Sequence, residues 1–541
     1  MELYIAKNLP TKHYEKKWQF CVGHCHAATL LRTDTLKILK RIHDELGIRQ
    51  VRFHGTFNDD MGVVQNFPQV FGIPVGEHIV ETNFYRVGVL YDNILALGMK
   101  PFVELSFMPS LLAKDPKRSF VYGSASLGSV TSMPRDFEEW KCFIKAYLAY
   151  LFHRYGEEEV AQWYFEVWNE PDLANTFFTD SQDGYLALYE ATARAIKEFC
   201  PRLRVGGPAS SASRWVDVLV KYCKEHNIPL DFVSTHQYIG DPFMGVSAEE
   251  AEKSFEELQA EEEANKKKRL EQLAALKRGF EALPADTPFI DAIQKLFGGV
   301  DFTENDYDRD IFPKNAAKVR EQAEGLPVFY TEWNLSANFA SPSQDMRKVA
   351  AYDVRTSLAI EELVDGDSIW CASDIFEELH QFKEPFHGGY GIMNLNGIPK
   401  PVFYALRMLA QAGDSRIQLD EKQFGETEAA AFESETEKQV LLFRFNSRQL
   451  NLPKESVKVS VELEKAPKRV YLQRIDEDHC NPRKVWEEMG SPNDLNAAEV
   501  AQIIEKSDMR DEELPYTYEN GLLSASVNVG VNDVYFIRIV K

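Results

Sequence analysis

The strongest constraint on this chain is a rhythm. Between residue 18 and about residue 411, short β-branched or aromatic runs alternate with longer amphipathic stretches. The candidate strands are QFCVGH (19–24), VRFHG (51–55), PFVELSF (101–107), YFEVWN (164–169), LRVGGPA (203–209), FVSTHQY (232–238), VFYTEWN (328–334) and SIWCASD (368–374). Most are near-continuous apolar runs, as parallel strands covered on both faces require. Between them, residues 34–46 place Leu36, Leu39, Ile42 and Leu46 at spacings of three and four, and Gly47 follows as a stop signal. Residues 83–97, 136–154, 183–199, 213–226, 343–363 and 400–411 carry the same signature. Strands and helices alternating over this length predict an α/β fold, a (β/α)8 TIM barrel enlarged by insertions. A doubly wound open sheet usually carries a glycine-rich phosphate turn after its first strand, and the sequence has none there.

Two regions break the rhythm. Residues 245–325 are charge-dense and helical in propensity, which reads as a solvated helical insertion between the sixth and seventh strands. A lid or subunit contact is the alternative, because βα loops flank the working face of a barrel. After about residue 415 strand-like runs recur with no regular helices between most of them: 439–445, 457–463, 469–475, 523–529 and 533–540. They predict a β-sandwich of sequence-adjacent antiparallel strands, interrupted by an irregular and helical stretch at 480–510. The expected organisation is therefore an N-terminal strand within residues 1–17 that joins the sandwich, a barrel over 18–414 and a β-sandwich over 415–541.

The bulk numbers exclude several classes. Net charge is -23, so nucleic acid and anionic membranes are poor partners and a neutral or cationic one is expected. No apolar run reaches 18 residues and the start lacks a signal-peptide core, so a cytoplasmic protein with no membrane span is expected. The 7 cysteines are scattered, which fits free thiols. Cys21, His24, Cys25 and His26 form the one metal-like cluster, but no second, similarly spaced pair accompanies it. No metal and no cofactor is expected.

In a barrel the chemistry sits where strands end. The second candidate strand delivers His54, the fourth Asn169 and Glu170, the sixth His236 and Tyr238, the seventh Glu332, and the eighth Trp370, with Glu377 and Glu378 beyond it. Two carboxylates on opposite walls of a barrel mouth are what glycosidic cleavage needs: one protonated to assist the leaving oxygen, one ionised to attack the anomeric carbon. Glu170 and Glu332 are placed for this. A glutamate at a strand end is often no more than the partner of a nearby base. Two on complementary strands, each with Asn and Trp neighbours, are not. Glu104 and Glu166 lie mid-strand and read as members of structural ion pairs, since a buried carboxylate needs a partner.

WNEP (168–171) and YTEWN (330–334) resemble the retaining (β/α)8 glycosidases with acid/base on strand four and nucleophile on strand seven. More specifically, the chain resembles glycoside hydrolase family 39, in its β-xylosidase branch. The matching blocks are HAATLLRTD (26–34), ELGIRQVRFHGTFNDDMGV (45–63), KPFVELSFMP (100–109), WYFEVWNEPDL (163–173), VGGPA (205–209), DFVSTHQY (231–238), VFYTEWN (328–334), SDIFEE (373–378), KEPFHGGYGIMNLNGIPKP (383–401) and RIDEDHCNPRKVWEEMGSP (474–492). The resemblance implies Glu170 as general acid/base and Glu332 as nucleophile. It implies sugar contacts by His54, Asn169, His236, Tyr238, Trp370 and one or both of Glu377 and Glu378. It further implies a packed C-terminal β-sandwich, homo-oligomers such as dimers or tetramers, and exo-acting release of xylose from short β-xylosides, the xylan 1,4-β-xylosidase reaction. The stretch ANTFFTD (174–180) departs from the aromatic pair that commonly follows N-E-P in the family, which leaves the leaving-group side open. A related member acting on an α-L-arabinoside, β-galactoside or β-glucoside is the alternative, and a non-catalytic carbohydrate-binding protein a weaker one.

Overall fold

The computed structural model describes residues 1–66, 69–74, 80–117, 129–173, 176–238, 308–337, 341–376, 383–446 and 451–541, with residues 274, 278, 279, 281–284 and 287. Eight parallel strands close into a barrel in sequence order. They are β1 (Cys21–His26), β2 (Gln50–His54), β3 (Lys100–Leu105), β4 (Tyr164–Val167), β5 (Arg204–Ser210), β6 (Phe232–Tyr238), β7 (Val328–Asn334) and β8 (Gly366–Ile369). Each pairs in parallel with its neighbours, β8 returning to β1. The predicted helices form at Thr33–Arg41, Tyr85–Ala96, Phe137–Tyr155, Gln182–Phe199, Val216–His226, Arg347–Ile360 and Pro401–Gln411.

Strand ends differ from the sequence expectation where burial of one large side chain outweighs the apolar run. β1 begins two residues later than predicted, because Lys17–Gln19 turns to bury Trp18. β8 ends at Ile369 rather than at 374. Beyond it Trp370 and Ala372 still donate their N–H groups to the Trp333 and Gly23 carbonyls of the flanking strands, and Ser373 then pairs with Met393. Of the charged insertion expected at 245–325, the continuous stretch 308–325 is described, and most of 245–307 lies outside the described residues. From its end, the helix Ile311–Gln322 leads into β7.

The N-terminal end of the barrel is closed by aromatic rings rather than by branched aliphatics. Phe20, Phe102, Phe232 and Phe329 form one buried cluster, with the partly buried Tyr164 packed against it. Phe20 stacks on Phe329 at 4.6 Å between centroids and Phe102 on Tyr164 at 5.4 Å. The Arg204 guanidinium caps Tyr164 from outside, 3.7 Å from the ring centre. Gly206 makes room for this plug: a Cβ there would stand 2.3 Å from the Phe232 carbonyl oxygen. The plug leaves the C-terminal end of the barrel for polar groups.

The C-terminal region is built of a seven-stranded and a four-stranded sheet around their own apolar core. The chain starts here. Glu2–Ile5 lies parallel to Glu455–Glu462, and Thr11–His13 pairs with Ser415–Ile417 before β1 begins. Apart from that parallel N-terminal strand, pairing is antiparallel as expected, but most partners are distant in sequence. Glu437–Phe443 pairs with Val534–Val540, and Glu455–Glu462 with Leu522–Val529. Local hairpins are limited to pairs such as Glu428–Glu433 with Glu437–Phe443. The stretch at 480–510 contributes the helices Pro482–Glu488 and Ala497–Ser507. Among the described residues no helix is long and apolar enough to cross a membrane.

Behind β7, two buried carboxyls meet no cation among the described residues. Asp367 of β8 accepts the Trp333 indole N–H at 2.9 Å, and burial pushes it up to about 7. Asp353, on the helix Arg347–Ile360, is also pushed well up by burial, and neither of its oxygens accepts a hydrogen bond among the described residues. A carboxyl whose pKa is raised in the fold holds its proton there after the unfolded chain has lost it. The stability that Asp367 contributes in this way is full below about pH 4 and is lost as pH rises to about 7, with a slope of up to about 1.4 kcal/mol per pH unit. Asp367→Asn keeps an acceptor for Trp333 and removes the titration. Its melting temperature is expected to fall less than that of the wild type between pH 4 and pH 7, measured by calorimetry in matched buffers.

Candidate active site

One cation organises the open end of the barrel. Arg52 points inward from the middle of β2, fully buried. Its Nε reaches Glu166 Oε2 of β4 at 2.6 Å and its Nη1 reaches Glu332 Oε2 of β7 at 3.2 Å. Its Nη2 reaches Glu104 Oε2 of β3 at 2.8 Å and donates to Asn169 Oδ1 at 2.9 Å. Thr331 completes Glu166 with a hydroxyl at 2.8 Å. Burial alone would favour a neutral guanidine, but the carboxylates around it outweigh that and hold its pKa above the ordinary value. Glu104 and Glu166, expected in structural ion pairs, are thus in pairs that belong to the site.

Alternation along the strands sets which side chains share this face. His54 follows Arg52 by two residues, and Tyr238 follows His236 by two on β6. The end of β4 abandons alternation. Trp168 and Glu170 take φ of 72° and 41°, the left-handed region that non-glycine residues avoid. Pro171 follows Glu170, and the residue before a proline is normally extended. The bend is held by Glu170 N–H donating to the Ala209 carbonyl at 2.8 Å and by the Trp168 indole donating to the Phe177 carbonyl at 2.9 Å. It turns the Glu170 carboxyl into the barrel mouth, where it is 4% exposed.

There Glu170 meets Glu332. The two carboxyls flank His236, whose Nδ1 lies 2.9 Å from Glu170 Oε1 and 3.6 Å from Glu332 Oε2. One oxygen of each carboxyl and one ring nitrogen all lie within 4.8 Å of one another. The Tyr238 hydroxyl donates to Glu332 Oε1. His54 Nε2 stands 3.9 Å from Glu332 Oε2, and its ring packs on Trp370 at 4.7 Å between centroids. A Cβ on Gly23 of β1 would sit 2.5 Å from the Trp370 ring, so glycine there is required by the indole. Of the expected contact residues, His54, Asn169, His236, Tyr238 and Trp370 converge on this space. Glu377 and Glu378 lie outside the described residues.

Burial makes both imidazoles neutral at pH 7: His54 is pushed down to about 3 and His236 well below its ordinary value. Burial also pushes the Glu332 carboxyl up, opposed by Arg52 and by the Tyr238 hydroxyl. Among the described residues, Glu170, His236 and Glu332 are the one group close enough to share an ion. Glu332 already receives Arg52 and Tyr238, so the group suits a proton better than a metal cation. The Cys21, His24, Cys25 and His26 cluster does not gather: His24 Nε2 lies 3.0 Å from the Thr29 hydroxyl and His26 Nδ1 3.0 Å from the Asn58 amide.

A model described as Glycosyl hydrolases family 39 matches residues 1–295 and 304–521. The chain belongs to that family. It is 35% identical over 507 residues to a β-xylosidase of Caldicellulosiruptor saccharolyticus, covering 93% of this chain and 91% of that one. It is 30% identical over 540 residues to a β-xylosidase of Geobacillus stearothermophilus, covering 98% and 95%. The crystal structure of a monomeric β-xylosidase from Caulobacter crescentus superposes with a TM-score of 0.75 at 26% identity, over 100% of this chain and 99% of that one. The barrel mouth described above is therefore that of a glycoside hydrolase.

Reading strand ends alone missed Arg52. Its signal was a lone cation inside the apolar run VRFHG, two residues before His54. Replacing it strands three carboxylates from three strands without a counter-charge. Arg52→Met is expected to cost about 3–5 kcal/mol of stability. Chemical unfolding followed by tryptophan fluorescence measures this, and turnover of an aryl glycoside is expected to fall with it.

Proposed function

We propose that the enzyme releases xylose from the non-reducing end of short β-xylosides and xylo-oligosaccharides with retention at the anomeric carbon. The observation that carries this is the approach of the Glu170 and Glu332 carboxyl oxygens to within 4.8 Å. Retaining glycosidases hold the pair about 5–5.5 Å apart, whereas inverting ones leave about 6.5–9.5 Å for a water. Substrate class is supported by the two β-xylosidases aligned over nearly the whole chain.

Glu332 is the nucleophile. Arg52 and Tyr238 donate to its carboxylate and favour its ionised form. Glu170 is the acid. One guanidinium among four buried carboxyls leaves the pocket short of positive charge, and a proton on Glu170 relieves it. As Glu332 attacks the anomeric carbon, the bond to the leaving oxygen breaks and takes the Glu170 proton. A covalent xylosyl-enzyme results. Glu170, now ionised, removes a proton from water as that water attacks the same carbon, which frees xylose and restores both carboxyls. Asn169, held by Arg52, faces the sugar 2-hydroxyl, and Trp370 supplies an apolar face. The seven free cysteines support a cytoplasmic setting. Assembly as a dimer or tetramer is the expectation of the family resemblance, and light scattering measures it.

Three measurements test the reading. A panel of aryl glycosides, with product anomers followed by proton NMR, is expected to favour the β-xyloside and to yield β-xylose first. Preference for an arabinoside, galactoside or glucoside would reassign the sugar, and the α-anomer first would exclude retention. Glu332→Gly is expected to lose turnover by about 10⁴-fold or more, and azide is expected to restore it as the inverted glycosyl azide. Glu170→Ala is expected to slow substrates with poor leaving groups far more than activated aryl xylosides. Equal losses on both would remove its acid role.

A further inference from the structure

We propose that Glu104 is a positioning residue for the reaction: it fixes the tautomer of His54, so that Nε2 faces the sugar as a hydrogen-bond acceptor. The proposal rests on the reading above in one respect, that the sugar lies between Glu170 and Glu332.

The geometry of donors around Glu104 carries it. His54 Nδ1 stands 2.7 Å from Glu104 Oε2. The same oxygen takes Arg52 Nη2 at 2.8 Å. The other oxygen accepts the Ser106 hydroxyl, whose own oxygen is held by the Gly55 N–H at 3.2 Å. Burial pushes the Glu104 carboxyl up to about 7, opposed by Arg52, which can only donate, and by the Ser106 hydroxyl, which is oriented to donate. Oε2 already accepts from Arg52, so in either protonation state it presents an acceptor to His54, and the imidazole proton resides on Nδ1. A neutral imidazole carries a single proton, and the bond made by one nitrogen sets the role of the other. Nε2 therefore keeps its lone pair.

That lone pair has a defined place. Nε2 lies 3.9 Å from Glu332 Oε2, so two acceptors stand side by side in the pocket. Neighbouring hydroxyls of a sugar in this space would donate to both. The ring is wedged against Trp370 at 4.7 Å, Phe177 at 6.1 Å and Phe107 at 6.2 Å, which opposes a flip. Burial of His54 and Glu104 excludes the water that would otherwise blur the assignment.

Nitrogen-15 NMR of the histidine-labelled enzyme tests this without reference to catalysis, with His54→Asn identifying the resonance. The expected wild-type spectrum has His54 Nδ1 protonated and Nε2 unprotonated. A protonated Nε2 would overturn the proposal. Glu104→Leu removes the acceptor and is expected to lower kcat/KM by about 10–100-fold, with the His54 tautomer shifted toward protonated Nε2. Glu104→Gln retains a carbonyl for Nδ1 and is expected to recover most of the loss. In a His54→Ala background, Glu104→Leu is expected to add little. If it costs as much there, or if glutamine gives no rescue, Glu104 acts through Arg52 alone and the proposal fails. Failure of azide rescue at Glu332 with the expected His54 spectrum would instead count against the catalytic reading only.

Discussion

The open end of this barrel depends on the buried guanidinium of Arg52. Arg52 is the shared counter-charge of Glu104, Glu166 and Glu332, which arrive from three strands. Taking so many charges out of water is costly, and a planar guanidinium with several fixed donors is the side chain that can satisfy several partners at once. The arrangement ties stability to chemistry. Arg52 also sets the direction of Asn169, and through Glu104 it touches the orientation of His54. One side chain thus fixes groups of the barrel mouth that come from several strands.

The end of β4 shows a second economy. Two non-glycine residues in the left-handed region, one of them before a proline, are a local strain of order 1–3 kcal/mol each. Packing of Trp168 against Phe107 and Phe178 offsets it. In an unstrained continuation of the strand, alternation would decide where residue 170 points. The bend takes that decision away from the pleat and gives it to the tie with β5. The bent backbone itself sets Glu170 beside Glu332.

How much of this was legible in the sequence depended on the range of the forces involved. Parallel strands buried on both faces must be apolar along their length, so the barrel could be read from runs such as FVSTHQY and VFYTEWN, and both form as strands over the residues expected. Periodicity and stop residues are local and located the helices. Sandwich pairing is not local: Glu455–Glu462 finds a partner some sixty residues on (Leu522–Val529), and no short-range pattern announces it. The same limit hid the role of Arg52. Strand ends can be scanned for polar groups, whereas a mid-strand arginine makes sense only once three other strands are placed around it. The positive φ at Glu170 was invisible for the opposite reason, since a glutamate before a proline argues for extended backbone.

The aromatic plug has a consequence for traffic. With Phe20, Phe102, Tyr164, Phe232 and Phe329 filling one end, the barrel is a cup and not a tunnel. Whatever reaches the deep sugar position must come back out through the doorway by which it came in. The departing half of a glycoside stands nearer that doorway, so it leaves first and the retained sugar last. A free monosaccharide in solution then competes for the same vacant seat as the next substrate, and the aromatic plug at the far end of the barrel gives it no second exit.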